Sequence, residues 1–252
     1  MAGGTSIIIP ARYGSSRFPG KPLAQILGRP MIWWVWQVAV VAADMSGGEI
    51  SQEDVVVATD SEEIQRYCMD NQIRTEITDI RHTSGTSRCF EVCENKRWNE
   101  DYLRQVVILQ GDEPMMSPEF ISRIATTSRT KGFSTATGYC SLAEEDLADR
   151  NVVKVLVDKH GRSVYFTRQS LLGAYRHLGI YLYRTPALEI ITRSSPGPLE
   201  KAENLEQLRA VELGVKFHME KWDGANYTEP VSVDVPEDVA KIEELMRPAR
   251  TR

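Results

Sequence analysis

The chain is poor in the features that mark several large protein classes. It has 4 cysteines in 252 residues, too few for the disulfide frameworks that hold small secreted domains together. Cys89 and Cys93 are close in sequence, but no second Cys or His pair completes a zinc site with them. The longest apolar stretch, Met31 to Ala43, has about 13 residues, whereas a membrane-spanning helix needs about 20. The sequence therefore predicts neither a disulfide scaffold nor a membrane protein.

Basic residues are also in short supply. The chain carries 30 Lys and Arg against 35 Asp and Glu, a net charge of −5. Because nucleic-acid binding depends on a surplus of Lys and Arg that neutralises phosphates, this balance excludes general nucleic-acid binding. Residues 1–10 lack both the basic region and the apolar core of a signal peptide, which predicts a cytoplasmic protein. With 42% hydrophobic residues, the chain can bury a core of its own, and we predict one domain over residues 1–252.

Short apolar runs alternate with amphipathic ones along the chain. This alternation is typical of an α/β fold with a mostly parallel central sheet covered by helices. Strands are predicted at residues 6–10, 54–58, 105–110, 134–139, 152–158, 177–183, 215–220 and 231–234. Helices are predicted at residues 31–44, 61–71, 86–96, 117–130, 199–213 and 236–245. Ser61 and Ser117 stand where N-caps belong, and Gly214 stands where a helix should end.

The loop after the first predicted strand is the most informative segment. It is rich in Gly, Ser and Pro and contains Arg12, Arg17 and Lys21. In parallel sheets ligands bind where strands pass into such loops, and clustered cations beside glycine backbone amides suit a polyphosphate. The spacing fits neither the Walker loop nor the dinucleotide-binding G-x-G-x-x-G pattern, so both of those classes are excluded.

Two further predicted strands end in an aspartate. Asp112 follows the apolar run Val106–Leu109, and Asp234 follows the run at residues 231–233. Both carboxylates are expected at the same sheet edge as the basic loop. Mg²⁺ is usually held by one or two carboxylates together with substrate phosphates, so a magnesium site is one interpretation of this pair. Each aspartate also suits the N-cap of the helix that follows it.

With these segments in place, the chain resembles the 3-deoxy-manno-octulosonate (Kdo) cytidylyltransferases, also called CMP-Kdo synthetases. The stretch from Ile9 to Leu23 is similar to that family's signature loop nearly residue for residue. Other similar stretches follow in the family's order over almost the whole chain, at Val57–Asp60, Ser84–Thr86, Gln110–Pro114, Tyr165–Arg168, His177–Tyr181, Leu205–Arg209 and Asp234–Asp238.

The resemblance implies a Rossmann-like nucleotidyltransferase fold with a small dimerisation lobe, and a homodimer. It also implies Mg²⁺-dependent transfer of CMP from CTP to an acid acceptor, with release of pyrophosphate. CTP binding is expected from Ala11, Arg12, Ser15, Arg17, Lys21, His82, Ser84, Gly85 and Gln110. Asp112 and Asp234 are expected to bind the metal and, with Lys21, to form the catalytic set.

The resemblance also implies a pocket for the acceptor acid. Its residues are expected to be Gln110, Arg168, His177, Tyr181, Glu206 and Gln207. An arginine such as Arg168 can bind a carboxylate with two hydrogen bonds, and a histidine such as His177 can donate one to an anion. Taken alone, His177 and Tyr181 would be interpreted as a half-buried strand histidine and a core aromatic.

Two departures from the family pattern bear on the acceptor. Ser87 stands where the family usually has an acidic residue after Ser-Gly-Thr. The stretch at residues 169–176 is shorter than the corresponding insertion of the Kdo enzymes, which lies beside the sugar acid. The shortening suits a smaller anion, so a cytidylyltransferase of phosphonate biosynthesis, with phosphonoformate or a similar acceptor, is an alternative to Kdo or its 8-amino analogue.

Other classes also remain open at this point. One is a module that binds CTP without turnover, and another is an enzyme of the same fold that uses UTP or GTP. The presence of Lys21, Asp112 and Asp234 favours a working cytidylyltransferase over the first. For the dimer, the apolar stretches Leu178–Tyr183 and Pro186–Ile191 suit an interface and equally suit the core.

Overall fold

A computed structural model describes residues 4–15, 17–95, 105–224 and 230–247. Its strands are β1 (Thr5–Ala11), β2 (Gln25–Ile26), β3 (Arg29–Pro30), β4 (Ile50–Thr59), β5 (Thr75–Ile77), β6 (Gln105–Leu109), β7 (Thr135–Cys140), β8 (Lys154–Val157), β9 (Ser163–Thr167), β10 (Tyr175–Arg184) and β11 (His218–Lys221). Its helices are α1 (Met31–Met45), α2 (Glu62–Asp70), α3 (Gly85–Asn95), α4 (Pro118–Lys131), α5 (Thr185–Arg193), α6 (Pro198–Glu203), α7 (Gln207–Glu212) and α8 (Glu237–Met246).

The central sheet has the strand order β11–β7–β10–β6–β1–β4–β5. Along this path β10 runs antiparallel to both of its neighbours, and the other pairs are parallel, so the sheet is mostly parallel as predicted. The hairpin of β8 and β9 lies off the path and joins the sheet through β10. Because β1, β4 and β6 point the same way, their carboxyl ends meet at one edge, where the predicted site residues follow.

Alternation along the buried strands divides the core into two clusters, one on each face of the sheet. Ile7 and Ile9 of β1 pack with residues of α1, α2, α4 and α8, whereas Ile8 faces α3, α5 and α7. All three isoleucines are fully buried. This period-two pattern with both faces covered is what a parallel sheet between helices requires. In the part of the chain that the structure describes, no helix is both long and apolar enough to cross a bilayer.

Most predicted helices are confirmed, with their start signals. The Ser61 side chain accepts a hydrogen bond from the Ile64 amide at the start of α2, and Ser117 accepts one from the Phe120 amide at the start of α4. The helix predicted at residues 199–213 is wrong as a single element. It is broken into α6 and α7 at Asn204, whose φ of 53° leaves the helical region.

The predicted strand at residues 231–234 is also wrong. The segment has no strand pairing, although the Val233 amide donates one hydrogen bond to the Asp112 carbonyl. The next two backbone donors, Asp234 and Val235, are taken by the Asp238 carboxylate at the start of α8. Because a side chain takes the hydrogen bonds of these two amides, they cannot pair with a neighbouring strand. The apolar run therefore packs against the sheet as a loop. Sequence patterning also missed the short strands β5 and β9 and the helix α5.

Candidate active site

A cavity of about 230 Å³ opens at the sheet edge where β1 and β6 end. All of the predicted CTP-binding residues line it, namely Ala11, Arg12, Ser15, Arg17, Lys21, His82, Ser84, Gly85 and Gln110. Pro10, Pro22, Thr83, Arg88, Gly111 and Asp112 complete the wall. Of these, Arg88 is buried and had no role in the sequence prediction. The three loops after β1, after β6 and before α3 thus converge as parallel-sheet topology predicts.

The basic loop after β1 is folded around the peptide of Tyr13. The Tyr13 carbonyl accepts hydrogen bonds from the amides of Ser15 and Gly20, both at 3.0 Å. Gly20 has a φ of +68°, a conformation that glycine adopts without strain, and a Cβ there would lie 3.5 Å from Tyr13 Cζ. The turn leads into a short 3-10 helix, Lys21–Leu23, which sends the lysine back toward the sheet edge.

Lys21 reaches across the cavity to the aspartate after β6. Its Nζ lies 2.6 Å from Asp112 Oδ2 and donates a second hydrogen bond to the Val233 carbonyl at 2.8 Å. The lysine side chain is only 15% exposed, so the ion pair is poorly screened by solvent. With the bond from the Val233 amide to Asp112, this contact fastens the loop before α8 against β6. It brings the segment that carries Asp234 to the same edge.

The second aspartate is paired with the second arginine of the basic loop. Arg17 Nη2 lies 2.9 Å from Asp234 Oδ1, and Nη1 donates to Asn151 Oδ1 at 3.1 Å. The two predicted metal ligands, Asp112 and Asp234, are thus each neutralised by a cation predicted to bind phosphates. If a triphosphate and its metal bound here, the two cations would pair with phosphate oxygens and the two aspartates would pair with the metal.

The donor set of Asp112 and Asp234 fits a magnesium ion that is completed by substrate. Among the described residues, no group of three or more His, Cys, Asp or Glu side chains is arranged to hold a metal. Two carboxylates facing a phosphate-binding loop are the set that Mg²⁺ uses when phosphates and water supply its other ligands. The oxygen donors and the cations that now balance them are therefore chemically consistent with Mg²⁺.

His82 lines the cavity, but both of its ring nitrogens are engaged within the protein. Nε2 lies 2.6 Å from the Glu91 carboxylate and Nδ1 lies 3.0 Å from Ser87 Oγ. Glu91 also accepts a hydrogen bond from the Asp79 amide. The ring therefore braces the turn before α3. Ser87, at the position where an acidic residue is usual, contacts the His82 ring. The carboxylate that pairs with the ring comes from Glu91, one helical turn later, which the sequence motif did not identify.

A second cavity, of about 760 Å³, adjoins the first. Its wall includes all of the predicted acceptor residues, namely Gln110, Arg168, His177, Tyr181, Glu206 and Gln207. Four residues line both cavities: Arg17, Gly85, Gln110 and Asp112. A hydrogen bond also joins the two walls, because Ser84 Oγ donates to Glu206 Oε1 at 2.6 Å. Burial raises the pKa of Glu206, and the bond from Ser84 opposes that rise.

The ring of His177 is buried and hydrogen-bonded to Thr137 within the protein. Burial lowers the pKa of His177 to about 3, so the ring is neutral near pH 7. Its Nε2 lies 2.8 Å from Thr137 Oγ1, and that hydroxyl donates its own proton to the Ile180 carbonyl. In the tautomer that satisfies both contacts, Nε2 carries the ring proton and Nδ1 accepts.

Arg168 is held in place by backbone carbonyls. Nη1 donates to the carbonyls of Arg150 and Asn151 at 3.0 and 3.4 Å, and the Arg168 amide donates to Glu203. The guanidinium is half-buried and still has donors for a ligand in the cavity. Tyr181, also on this wall, has its pKa raised by burial and is a neutral phenol.

Glu113 is a buried carboxyl on the acceptor side that sequence reasoning missed. Burial, and next the neighbouring Asp112 charge, raise the pKa of Glu113 to about 8. It fits because residue 179 is glycine: a Cβ there would lie 2.5 Å from Glu113 Oε1. The Gln-Gly-Asp-Glu-Pro motif contained this residue, but strand and charge patterns alone did not distinguish it from a surface glutamate.

Gly179→Ala is expected to disturb the acceptor side selectively. The new methyl group would displace the Glu113 carboxyl, because nothing at that distance can remain in place. We expect the KM for the acceptor to rise by roughly tenfold or more while the KM for the nucleotide changes by less than about twofold. Steady-state kinetics with each substrate varied in turn measures both values. An equal rise in the two would contradict a local effect.

Comparison with known proteins came to the same group of enzymes. Residues 6–217 match the family model described as Cytidylyltransferase. The chain is 35% identical to the 3-deoxy-manno-octulosonate cytidylyltransferase of Vibrio vulnificus, over 96% of this chain and 97% of that one. It is 38% identical to the mitochondrial enzyme of the same name from Arabidopsis thaliana, over 95% of this chain and 82% of that one.

The fold has a solved counterpart as well. The structure of CMP:2-keto-3-deoxy-manno-octonic acid synthetase complexed with CTP superposes with a TM-score of 0.83. The two chains are 31% identical, and the match covers 96% of this chain and 98% of the other. The mostly parallel sheet, the adjoining cavities and these likenesses agree, and the chain belongs to the cytidylyltransferase family.

Proposed function

We propose that this protein transfers CMP from CTP to Kdo, or to a closely similar sugar acid, and releases pyrophosphate. The observation that carries the proposal is the pair of cavities that share Arg17, Gly85, Gln110 and Asp112. One is lined by the basic loop and suits a nucleotide triphosphate. The other is larger and suits an acceptor. Their common wall is where a group would pass from one to the other.

The chain's own residues supply binding and charge neutralisation. Arg12, Arg17 and Lys21 would hold the triphosphate, and Asp112 and Asp234 would hold Mg²⁺, which when bound offsets the charge that develops on the phosphates. An acceptor hydroxyl oxygen attacks the α-phosphorus as the bond to the bridging oxygen of pyrophosphate breaks. The hydroxyl proton is lost to solvent, and pyrophosphate leaves with the bonding electron pair.

The chemistry of the larger cavity favours an acceptor rich in hydroxyl groups. The ring of His177 is neutral, and in the tautomer that satisfies both Thr137 contacts its Nδ1 accepts a hydrogen bond. Carboxyl groups on the same wall add further hydrogen-bond acceptors, at Glu145, Asp146, Asp149, Glu206 and Asp238. A sugar acid could donate its hydroxyls to these groups and present its carboxylate to Arg168. A compact dianion would meet many of these carboxylates as repulsive neighbours.

A small phosphonate acceptor, such as phosphonoformate, is the second candidate. The observation in its favour is the short connection between β9 and β10, an exposed turn that adds no residue to the cavity wall between Arg168 and Arg176. Leu172 at its tip is 85% exposed. Without a longer segment closing this side, contacts to the distal part of a sugar acid would be fewer.

A substrate panel tests the proposal. Pyrophosphate release is measured with CTP and Mg²⁺ in the presence of Kdo, its 8-amino analogue, phosphonoformate, or no acceptor. We expect turnover with the sugar acids and none with the phosphonate. Turnover with phosphonoformate alone would overturn the acceptor assignment, and CTP binding without turnover of any acid would support a binding module. Replacing CTP by UTP, GTP or ATP tests the choice of nucleotide.

We also propose a homodimer in the cytoplasm. The Leu178–Tyr183 stretch lies inside the sheet, with Leu178, Ile180 and Leu182 buried, so it serves the core instead of an interface. Exposed apolar side chains at Val164, Leu172 and Tyr175 make the β8–β9 side a better candidate for the dimerisation lobe. A monomeric mass in sedimentation equilibrium would contradict the dimer. All four cysteines are buried, which is compatible with a reducing compartment.

A further inference from the structure

A buried ion pair joins two elements next to the nucleotide cavity. Asp60 follows β4, and Arg88 lies in the first turn of α3. Arg88 Nη2 is 2.7 Å from Asp60 Oδ2, and the two side chains are 3% and 11% exposed. Removing charges from water costs free energy that only a well-bonded partner offsets, so a buried ion pair is by itself weak evidence of a gain in stability. Its location suggests another use.

The second oxygen of Asp60 contacts the basic loop. The Tyr13 amide donates to Asp60 Oδ1 at 3.3 Å. Tyr13 is also the residue around which the loop is folded, since its carbonyl accepts hydrogen bonds from the amides of Ser15 and Gly20. An anchor at this residue therefore fixes the origin of the whole turn, including the direction in which Lys21 leaves it.

Arg88 makes a second hydrogen bond, to Thr78, which fixes the position of the guanidinium that pairs with Asp60. Its Nη1 donates to Thr78 Oγ1, and the Thr78 hydroxyl donates in turn to the Thr59 carbonyl at the end of β4. Arg88 also lines the nucleotide cavity. The chain of contacts runs from β4 through Thr78, Arg88 and Asp60 to the loop.

We propose that Asp60 and Arg88 are positioning residues that pre-order the phosphate-binding loop before nucleotide arrives. The nature of the nucleotide rests on the proposed function, whereas the ordering of the loop does not. A loop held in its binding conformation loses less conformational entropy on binding, so loss of the anchor weakens nucleotide affinity without touching the acceptor.

Two double variants isolate the anchor from the ion pair. Asp60→Leu/Arg88→Met removes both charges and leaves no oxygen for the Tyr13 amide. Asp60→Asn/Arg88→Met removes the same charges and keeps an acceptor oxygen at position 60. Replacing a buried pair by apolar groups of similar volume is compatible with a stable fold. Where leucine at position 60 prevents folding, alanine there asks the same question.

Hydrogen exchange of residues 12–21 in the nucleotide-free protein is the first readout. We expect the leucine variant to exchange about tenfold faster than wild type, and the asparagine variant to stay within about threefold of it. The KM for CTP should rise by about tenfold in the leucine variant alone, with the acceptor KM unchanged. Glu94→Leu/Arg193→Met removes an exposed ion pair of the same kind and should change neither readout.

The outcomes separate this inference from the proposed function. Wild-type exchange rates in the leucine variant, or equal rates in the two double variants, would overturn the anchor. Failure of the wild-type protein to bind CTP would overturn the proposed function instead, and the exchange comparison would still report on the loop.

Discussion

Asp112→Asn is expected to lower kcat by about three orders of magnitude while leaving the fold intact. Asparagine has nearly the same shape as aspartate, but it lacks the charge needed to hold a divalent cation against the phosphates. A group that acts mainly on charge developing in the transition state affects kcat far more than binding. Pyrophosphate release at saturating CTP and acceptor measures the loss.

The binding of CTP in the absence of metal provides the internal check for this variant. Removing a negative charge from the cavity should leave this affinity unchanged or raise it, because the triphosphate is itself an anion. Asp70→Asn, at the exposed end of α2, changes the same chemical group outside both cavities and should keep full activity. Unchanged turnover in Asp112→Asn would refute a metal-binding role.

Lys21→Met should lower kcat/KM for CTP by about two to three orders of magnitude. The ammonium group would neutralise the triphosphate in the bound state, and in the free protein it neutralises Asp112 at 2.6 Å. Losing it has two opposite consequences. Nucleotide binding weakens, whereas Asp112 loses its competitor, so Mg²⁺ alone should bind more tightly than to wild type. Isothermal titration with CTP and with Mg²⁺ measures the two changes separately.

The opposite signs make the Lys21 experiment specific. A variant that was merely damaged would weaken both ligands together. Lys159→Met, in the exposed turn between β8 and β9, is the matched control and should change neither affinity. If Mg²⁺ affinity in Lys21→Met were lower than in wild type, the ion pair of Lys21 with Asp112 would not compete with the metal.

Local patterning was enough to predict those elements whose signals are contained within a few residues. The run Ile7–Ile9 indicates a strand buried on both faces. Helix starts are indicated by the capping residues Ser61 and Ser117. The short strand β9 escaped prediction because its five residues are too few to show a hydrophobic period. Asn204 broke a predicted helix through a backbone conformation that composition does not reveal.

Motif order predicted which residues gather at the site. Every residue predicted to bind CTP lines one cavity, and every residue predicted to bind the acceptor lines the other. For the CTP-binding residues that follow β1 and β6 this agreement has a physical basis, since loops at the carboxyl ends of neighbouring parallel strands must lie together. Residues outside recognisable loop chemistry were missed. The missed residues are Glu91, Glu113 and Arg88. Their roles depend on burial or on partners elsewhere in the chain, and a local sequence pattern shows neither of these.

The sequence by itself determined an α/β fold without disulfide framework or membrane-spanning run, and a basic loop set against two aspartates. Those properties follow from composition, hydrophobic period and charge, which are local. Only the tertiary structure decided that Lys21 and Arg17 neutralise those aspartates, that burial beside Thr137 keeps His177 neutral, and that Asp60 reaches the Tyr13 amide. Protonation states and pairings depend on burial and on neighbours brought together by folding, and the linear order of residues does not contain those distances.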